Sequence, residues 1–310
     1  MLISHLHLGL TPWRLRSDLS ANALCEQAEL AESWGYDSFF LPESHFAGSP
    51  SLPDPMMLLA AIAARTERIL LGTTSYLLPI RHPLLAAEQV ATLDQLSCGR
   101  LILGLGRGYQ AGMLDAFGVK QRDKRERFED ILETMLSAWR GEYIGDPERL
   151  LQLSPLPAQQ PHPPLWVAGF GPKAIAQIGS LGLPYLASPI ETLVELQENH
   201  RQLHAAMAAA EKAIPPEIVI MRTIYISDNK SECEELRRQL RDAPRPPNLP
   251  GGAAVEEWAF IGDASEVADR IESYQQLLNM SHLIAVRPRV RGIEESTMHT
   301  SMERLRELVS

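Results

Sequence analysis

The chain is poor in cysteine, in aromatics and in positive charge, and it lacks a long apolar run. Its three cysteines, Cys25, Cys98 and Cys233, are odd in number and widely spaced along 310 residues. That excludes a disulfide framework or a cysteine zinc site and fits reduced thiols in a cytoplasm. The formal charge of −10 argues against nucleic acid or an anionic membrane surface as the partner. No apolar stretch reaches the roughly 18–20 residues that a membrane span needs. The opening residues, Met1 to Leu6, lack a basic start and an apolar signal core. The expectation is a cytoplasmic protein with no nucleic-acid or membrane partner and no metal site.

What is present is a regular alternation of strands and helices. Short apolar runs at Ile3–Gly9, Asp37–Leu41, Arg68–Gly72 and Arg100–Leu105 read as strands. Helical periods follow each of them, at Asp18–Trp34, Pro55–Arg65, Pro83–Leu96 and Arg125–Trp139. The last of these has Phe128, Ile131, Leu132 and Met135 on one face. Leu165–Ala168, Leu183–Leu186, Ile218–Ile226 and His282–Val286 read as four further strands. Eight strands alternating with helices predict one (β/α)8 TIM-barrel domain over residues 1–310. Strands buried on both faces explain the unbroken apolar runs. Gly141–Pro164, rich in Pro and Gln, is expected to wrap the surface. The Pro/Gly-dense stretch Asp242–Gly252 cannot be regular structure. It suggests a mobile lid within about 228–262, against the alternative of a passive linker.

Several constellations fall at predicted strand ends, where barrels keep their sites. Gly104-Leu105-Gly106-Arg107-Gly108 is a weak dinucleotide fingerprint, because the third glycine is replaced by Tyr109 and the motif follows the fourth strand. It reads better as a loop where a flat ligand approaches the backbone, with the Arg107 fork suited to a phosphate. The alternative for Arg107 is a surface ion pair. Lys120 to Arg127 is a basic run in an acidic protein. It is either a solvated helix start or, through Arg125, a second cation for the same phosphate. Glu43-Ser44-His45 closes the second strand, so Ser44 and His45 are candidate catalytic residues. The alternative for His45 is structural pairing, for instance with Glu88, a carboxylate in an otherwise apolar helical stretch. Thr73-Thr74-Ser75-Tyr76 ends the third strand with small hydroxyl side chains suited to packing against a ring, or to simple capping. Aromatics near strand ends, Phe170 among them, suit an apolar pocket.

At these residues the chain resembles the bacterial luciferase-like superfamily of flavin-dependent monooxygenases and oxidoreductases. The matching pieces are Gly35-Tyr36-Asp37 leading to Glu43-Ser44-His45-Phe46, Leu71-Gly72-Thr73 through His82-Pro83, and Leu93-Asp94-Gln95-Leu96-Ser97 with Gly99-Arg100. Arg107-Gly108, Phe117-Gly118, Phe260-Ile261-Gly262-Asp263 and His282-Leu283 continue the match. The resemblance implies reduced FMN at the barrel mouth, with its ring beside a non-prolyl cis peptide that maps to Thr74–Ser75. It implies a phosphate held by Arg107 and Arg125, with Gly169 and Phe170 in a further flavin-phosphate segment. The family's catalytic His corresponds to Ser44 and its reactive Cys to Gly106, which makes light emission unexpected. The second His of the family's pair corresponds to His45, at a subunit interface near Glu88, which implies a homodimer.

Three functions stay open at this point. The first is an FMN-dependent monooxygenase acting on a small-molecule substrate, with a separate flavin reductase as partner. The second is a hydride-transfer oxidoreductase using the deazaflavin F420. The third is a non-catalytic flavin-binding dimer. The apolar helices Pro55–Arg65 and Pro83–Leu96, with bands at Met56–Leu59 and Ile62 and at Leu84, Leu85 and Val90, are expected to form the dimer face.

Overall fold

Short apolar strands that end in turns, each followed by a helix, leave few ways to pack. In the computed structural model they take the expected one. It describes residues 6–14, 20–46, 51–145, 148, 151–243, 253–290 and 292–309. The first elements are β1 (His7–Leu10), α1 (Ala21–Trp34), β2 (Ser38–Leu41), α2 (Pro55–Ala63), β3 (Leu70–Thr73), β4 (Tyr76–Leu77) and α3 (Pro83–Leu96). Next come β5 (Leu101–Gly106), α4 (Ala111–Ala116), α5 (Lys124–Trp139), β6 (Leu165–Ala168), α6 (Pro172–Leu181), β7 (Tyr185–Ala187) and α7 (Leu193–Ala209). The chain finishes with β8 (Val219–Ile226), α8 (Lys230–Asp242), β9 (Ala259–Gly262), α9 (Ala264–Leu278), β10 (His282–Val286) and α10 (Glu295–Val309).

The strand order is β10-β1-β2-β3-β5-β6-β7-β8, and β8 pairs in parallel with β10, so the sheet closes on itself. The fold is a (β/α)8 TIM barrel. The eight predicted strands are the eight of the ring, with ends displaced by a few residues. β9 lies off the ring. It pairs with Thr223–Ile226, the far half of the eight-residue β8, which pairs with β7 at Val219 and Ile220 and with β10 from Val219 to Thr223. That extra strand went unread because its ladder partner is the overhang of a long strand, which no local pattern reports.

Contacts divide the chain into two compact units. Leu15–Glu29 with Phe40–Trp166 form one of them. Its helix α2 starts on Asp54, whose carboxylate accepts from the Met56 and Met57 amides at 3.1 and 3.2 Å, with Pro55 in the first turn. Arg100 gathers the end of this helix. Its guanidinium donates to the carbonyls of Ala63, Thr66, Ile69 and Ser97 and to the Thr66 hydroxyl. Gly72 must be glycine, because a Cβ there would lie 2.3 Å from the Phe40 ring. Helix α5 buries Phe128, Ile131, Leu132 and Met135, the expected face. Asp94, fully buried, fixes the irregular segment before β6 by accepting from the Gln159 amide and side chain, both at 2.8 Å.

The other unit comprises Met1–Arg14, Leu30–Phe39 and Val167–Ser310. α6 and α7 cross closely at Gly179, where a Cβ would lie 2.5 Å from Ala206 Cβ. α7 and α9 open on capping boxes, Thr192 with Glu195 and Asp263 with Glu266. A buried polar network lies beside β7 and β8. Arg222 donates to the carbonyls of Met221 and Ser188 and to the Tyr274 hydroxyl. Glu191 accepts from Tyr185, from the Asn199 side chain at 2.7 Å and from the Ser188 amide at 2.6 Å. Burial raises the Glu191 carboxyl to about 7, with Arg222 and the hydrogen bonds opposing. Among the described residues no helix is long and apolar enough to cross a membrane. The expected lid falls mostly on 244–252, outside the described residues; Lys230–Asp242 before it is helix and Ala259–Gly262 after it is strand.

Candidate cofactor site

The unit containing residues 40–166 brings the ends of β2, β3 and β5 together with the start of α5. Its centre is Glu43, just past β2, whose side chain is fully buried. One carboxylate oxygen sits 2.5 Å from His45 Nε2 and 2.5 Å from an Arg81 terminal nitrogen. The other accepts from the Leu77 amide at 2.9 Å. The Arg81 guanidinium lies 4.5 Å from the centre of the buried Tyr76 ring, and the Tyr76 hydroxyl donates to Gln89 at 3.0 Å. Burial works against the Arg81 charge, but Glu43 and Tyr76 overcome it and hold its proton more tightly.

His45 Nε2 contacts Glu43 of its own chain, while Glu88 is exposed on the outer side of α3. The physical reason is proximity: a carboxylate two residues away was hidden in the same loop. Ser44 also has a local partner. Its hydroxyl oxygen accepts from the Leu52 amide at 3.0 Å, while its own amide donates to the Leu52 carbonyl at 2.9 Å. Beyond His45 the exposed Phe46, with φ at +54°, packs with Phe117, ring centres 5.7 Å apart.

The Thr74–Ser75 peptide is cis, as the resemblance implies. The Thr74 hydroxyl is buried with no hydrogen-bond partner. Ser75 faces Gly106 closely: a Cβ on Gly106 would lie 2.1 Å from Ser75 Oγ. A side chain at 106 would collide with that hydroxyl unless Ser75 moved. Gly108, at φ +70°, completes the turn against Met113 and Leu114 of α4.

The basic run from Lys120 to Arg127 sorts into different jobs. Arg122 pairs with Asp123 at 3.2 Å in the open, and Arg127 donates to the Pro79 carbonyl at 2.5 Å. Lys124 reaches back to the glycine turn, its Nζ donating to the Gly108 carbonyl at 2.9 Å. Arg107 is pulled down to about 10, first by burial and then by the like charge of Arg125, with Glu129 offsetting part of it. Lys124 is lowered too, by burial, Arg107 and Arg125. Three cations thus gather at one glycine turn. The sequence had Arg107 and Arg125 but not Lys124, whose signal was only its place in a run of charges.

Gly169 and Phe170 lie in the other unit, in the turn from β6 to α6. Gly169 is buried and Phe170 is 36% exposed. Gly171, at φ +77°, caps α6, and Pro172 opens its first turn.

A profile of the family described as luciferase-like monooxygenase matches residues 6–279. The chain is 24% identical over 289 residues to the oxygenase component of the flavin-dependent trigonelline monooxygenase of Acinetobacter baylyi, covering 82% of this chain and 80% of that one. It superposes with a TM-score of 0.78, at 19% identity and 98% coverage of both chains, on the oxygenating constituent of 3,6-diketocamphane monooxygenase of Pseudomonas putida, solved in complex with FMN. The F420-dependent tetrahydromethanopterin reductase of Methanopyrus kandleri shares the fold, with a TM-score of 0.72, 16% identity and 99% coverage of both chains. A family match across most of its length, on a barrel with cations at one strand-end turn, makes the chain a member of the luciferase-like monooxygenase family, and so an oxidoreductase.

Proposed function

We propose that the protein is an FMN-dependent monooxygenase that takes reduced FMN from a separate flavin reductase and oxygenates a small organic substrate without emitting light. The observation that carries this reading is the gathering of cations at the Gly106–Gly108 turn: Lys124 donates to the Gly108 carbonyl at 2.9 Å, and burial with the charge of Arg125 lowers the proton affinity of Arg107 and, with Arg107, that of Lys124. Such a cluster fits a dianion, and a phosphate monoester is the dianion that FMN carries. Arg107 and Arg125 would hold the phosphate, and Gly106 and Gly108 would let the cofactor approach the backbone. Thr74 and Ser75 would contact the flavin. When bound, reduced FMN supplies the electrons for dioxygen; one oxygen atom enters the substrate and the other leaves as water.

The protein's part is to bind, orient and exclude water. Of the expected catalytic pair, His45 can hold a proton at a defined atom, because Glu43 fixes its Nε2. The Ser44 oxygen already accepts from Leu52, so its role is to set the loop that carries His45. The relative that is an oxygenase component supports a reductase partner.

F420 is the second reading, supported by solved F420-dependent proteins of the same fold. Anaerobic titration with reduced FMN and with reduced F420, followed by admission of oxygen, distinguishes the two. Tight FMN binding with oxygen consumption supports the first reading; F420 binding with no oxygen consumption replaces it.

The homodimer remains part of the proposal in reduced form. Leu59, Ile62 and Val90 are fully buried within their own chain, while Met57 at 72%, Leu85 at 58% and Leu96 at 59% exposure stay open for a two-fold contact. Light scattering checks it: a mass near twice that of the chain is expected, and Met57→Glu should shift it toward the monomer.

A further inference from the structure

We propose that Lys124 is a third phosphate-binding residue of this site, and that its charge makes the site selective for a dianionic phosphate monoester over a monoanionic phosphodiester. The inference rests on the reading that Arg107 and Arg125 hold the cofactor's phosphate.

Lys124 opens α5, a helix of 16 residues. A cation there is disfavoured by the helix dipole, which places partial positive charge at that end. An exposed lysine in this position would extend into water. Lys124 instead folds back, half-buried, and hydrogen-bonds the carbonyl of Gly108 at 2.9 Å. There it meets the repulsion of Arg107 and Arg125, which together with burial lowers its proton affinity. Nearby acids do not draw it there: Asp123 pairs with Arg122, and the field of Glu129 registers at Arg107. The arrangement makes sense once an anion sits among the three cations. One ammonium donor fixes the glycine turn and two remain for ligand oxygens. Two arginines balance a dianion only if neither charge is offset by protein, and Glu129 offsets part of Arg107. The third cation restores the balance. A phosphodiester carries one charge and has less need of it.

The test is calorimetric binding of three reduced flavins under anaerobic conditions: FMN, riboflavin, and riboflavin cyclic 4′,5′-phosphate, a monoanionic diester. In the natural protein FMN should bind best, and its advantage over the cyclic diester should shrink as pH falls through the second phosphate ionisation near ~6. Lys124→Gln should weaken FMN about tenfold, on the scale of one charged hydrogen bond. The cyclic diester should weaken much less and riboflavin should not change. Lys124→Arg should restore FMN binding to within about threefold, since either cation supplies the charge. Unchanged FMN affinity in Lys124→Gln overturns the proposal. So does an equal loss for all three flavins, which would mark a purely structural tether. If Lys124→Gln does not fold, the pH dependence in the natural protein decides: no change in the preference for FMN overturns the proposal. Failure of the underlying reading looks different, because the natural protein would then hold FMN no better than riboflavin.

Discussion

Arg81 and Arg107 stand in the same unit, both largely buried, both near strand ends, and their surroundings push them in opposite directions. Arg81 faces Glu43 at 2.5 Å and holds its proton more tightly than usual. Arg107 faces burial and Arg125 and holds its proton less tightly, down to about 10. The first cluster, Arg81–Glu43–His45 with Tyr76, pairs its charge internally, although the Arg81 Nε is buried without a hydrogen-bond partner. The second gathers like charges, with Glu129 offsetting part of the field at Arg107. Burial of a charge is common to both, so burial alone does not mark a ligand site; the sign of the neighbours does.

The largest effect should come from opening the closed cluster. Glu43→Ala leaves Arg81 without its carboxylate and should cost about 3–5 kcal/mol of stability by urea unfolding, the cost of breaking a buried pair. A loss below about 1 kcal/mol would mean that water replaces the carboxylate without penalty, and the contrast would collapse.

The open cluster should respond the other way round. Arg107→Ala should cost much less stability than Glu43→Ala, because the change also removes the repulsion from Arg125. FMN binding should weaken by roughly 1.5–3 kcal/mol. Arg125→Ala should behave similarly, and the double variant should lose less than the sum if both grip one phosphate.

The polar network of the other unit extends the comparison to pH. Glu191 is raised to about 7, above the ~4.3 of an unfolded glutamate. The folded state therefore binds that proton more tightly, and the stability present below about pH 4.3 is lost as pH rises toward 7. His200, lowered to about 4 by burial and His204, has the opposite slope. Its contribution is present above about pH 6.5 and is lost as pH falls toward 4. Glu191→Gln should remove the first slope and His200→Phe the second, each by on the order of 1–2 kcal/mol across its window. Unfolding curves at about pH 4.5, 5.5, 6.5 and 7.5 would read both, and a slope unmoved by its variant would contradict the assignment.

Much of this was legible in the sequence. The barrel followed from strand periodicity, because buried parallel strands write themselves as apolar runs. Arg107 at its glycine turn followed from motif position, and the cis Thr74–Ser75 peptide from the family resemblance. What was not legible depends on side chains meeting across the fold. Nothing in the spacing said that Glu43 would contact His45, since only loop geometry brings the two together. The apolar bands of α2 and α3 read as an outer face, but Leu59, Ile62 and Val90 turned inward. Lys124 was hidden among eight consecutive positions rich in charge, where no local signal distinguishes a solvated lysine from one that folds back. Those same positions yield the smallest expected effect. Arg122→Ala, two residues from Lys124, removes an exposed pair with Asp123. It should change FMN affinity and stability by less than about 0.5 kcal/mol. An effect as large as that of Arg107→Ala would show that general basicity, not the gathered cations, attracts the ligand.

The account turns on where a phosphate sits. A crystal structure of the protein with FMN tests that most directly. The account predicts phosphate oxygens within hydrogen-bond distance of Arg107 and Arg125, over the Gly106–Gly108 turn, with the Glu43–His45–Arg81 contacts unchanged. A phosphate bound elsewhere, out of reach of Arg107 and Arg125, would contradict it.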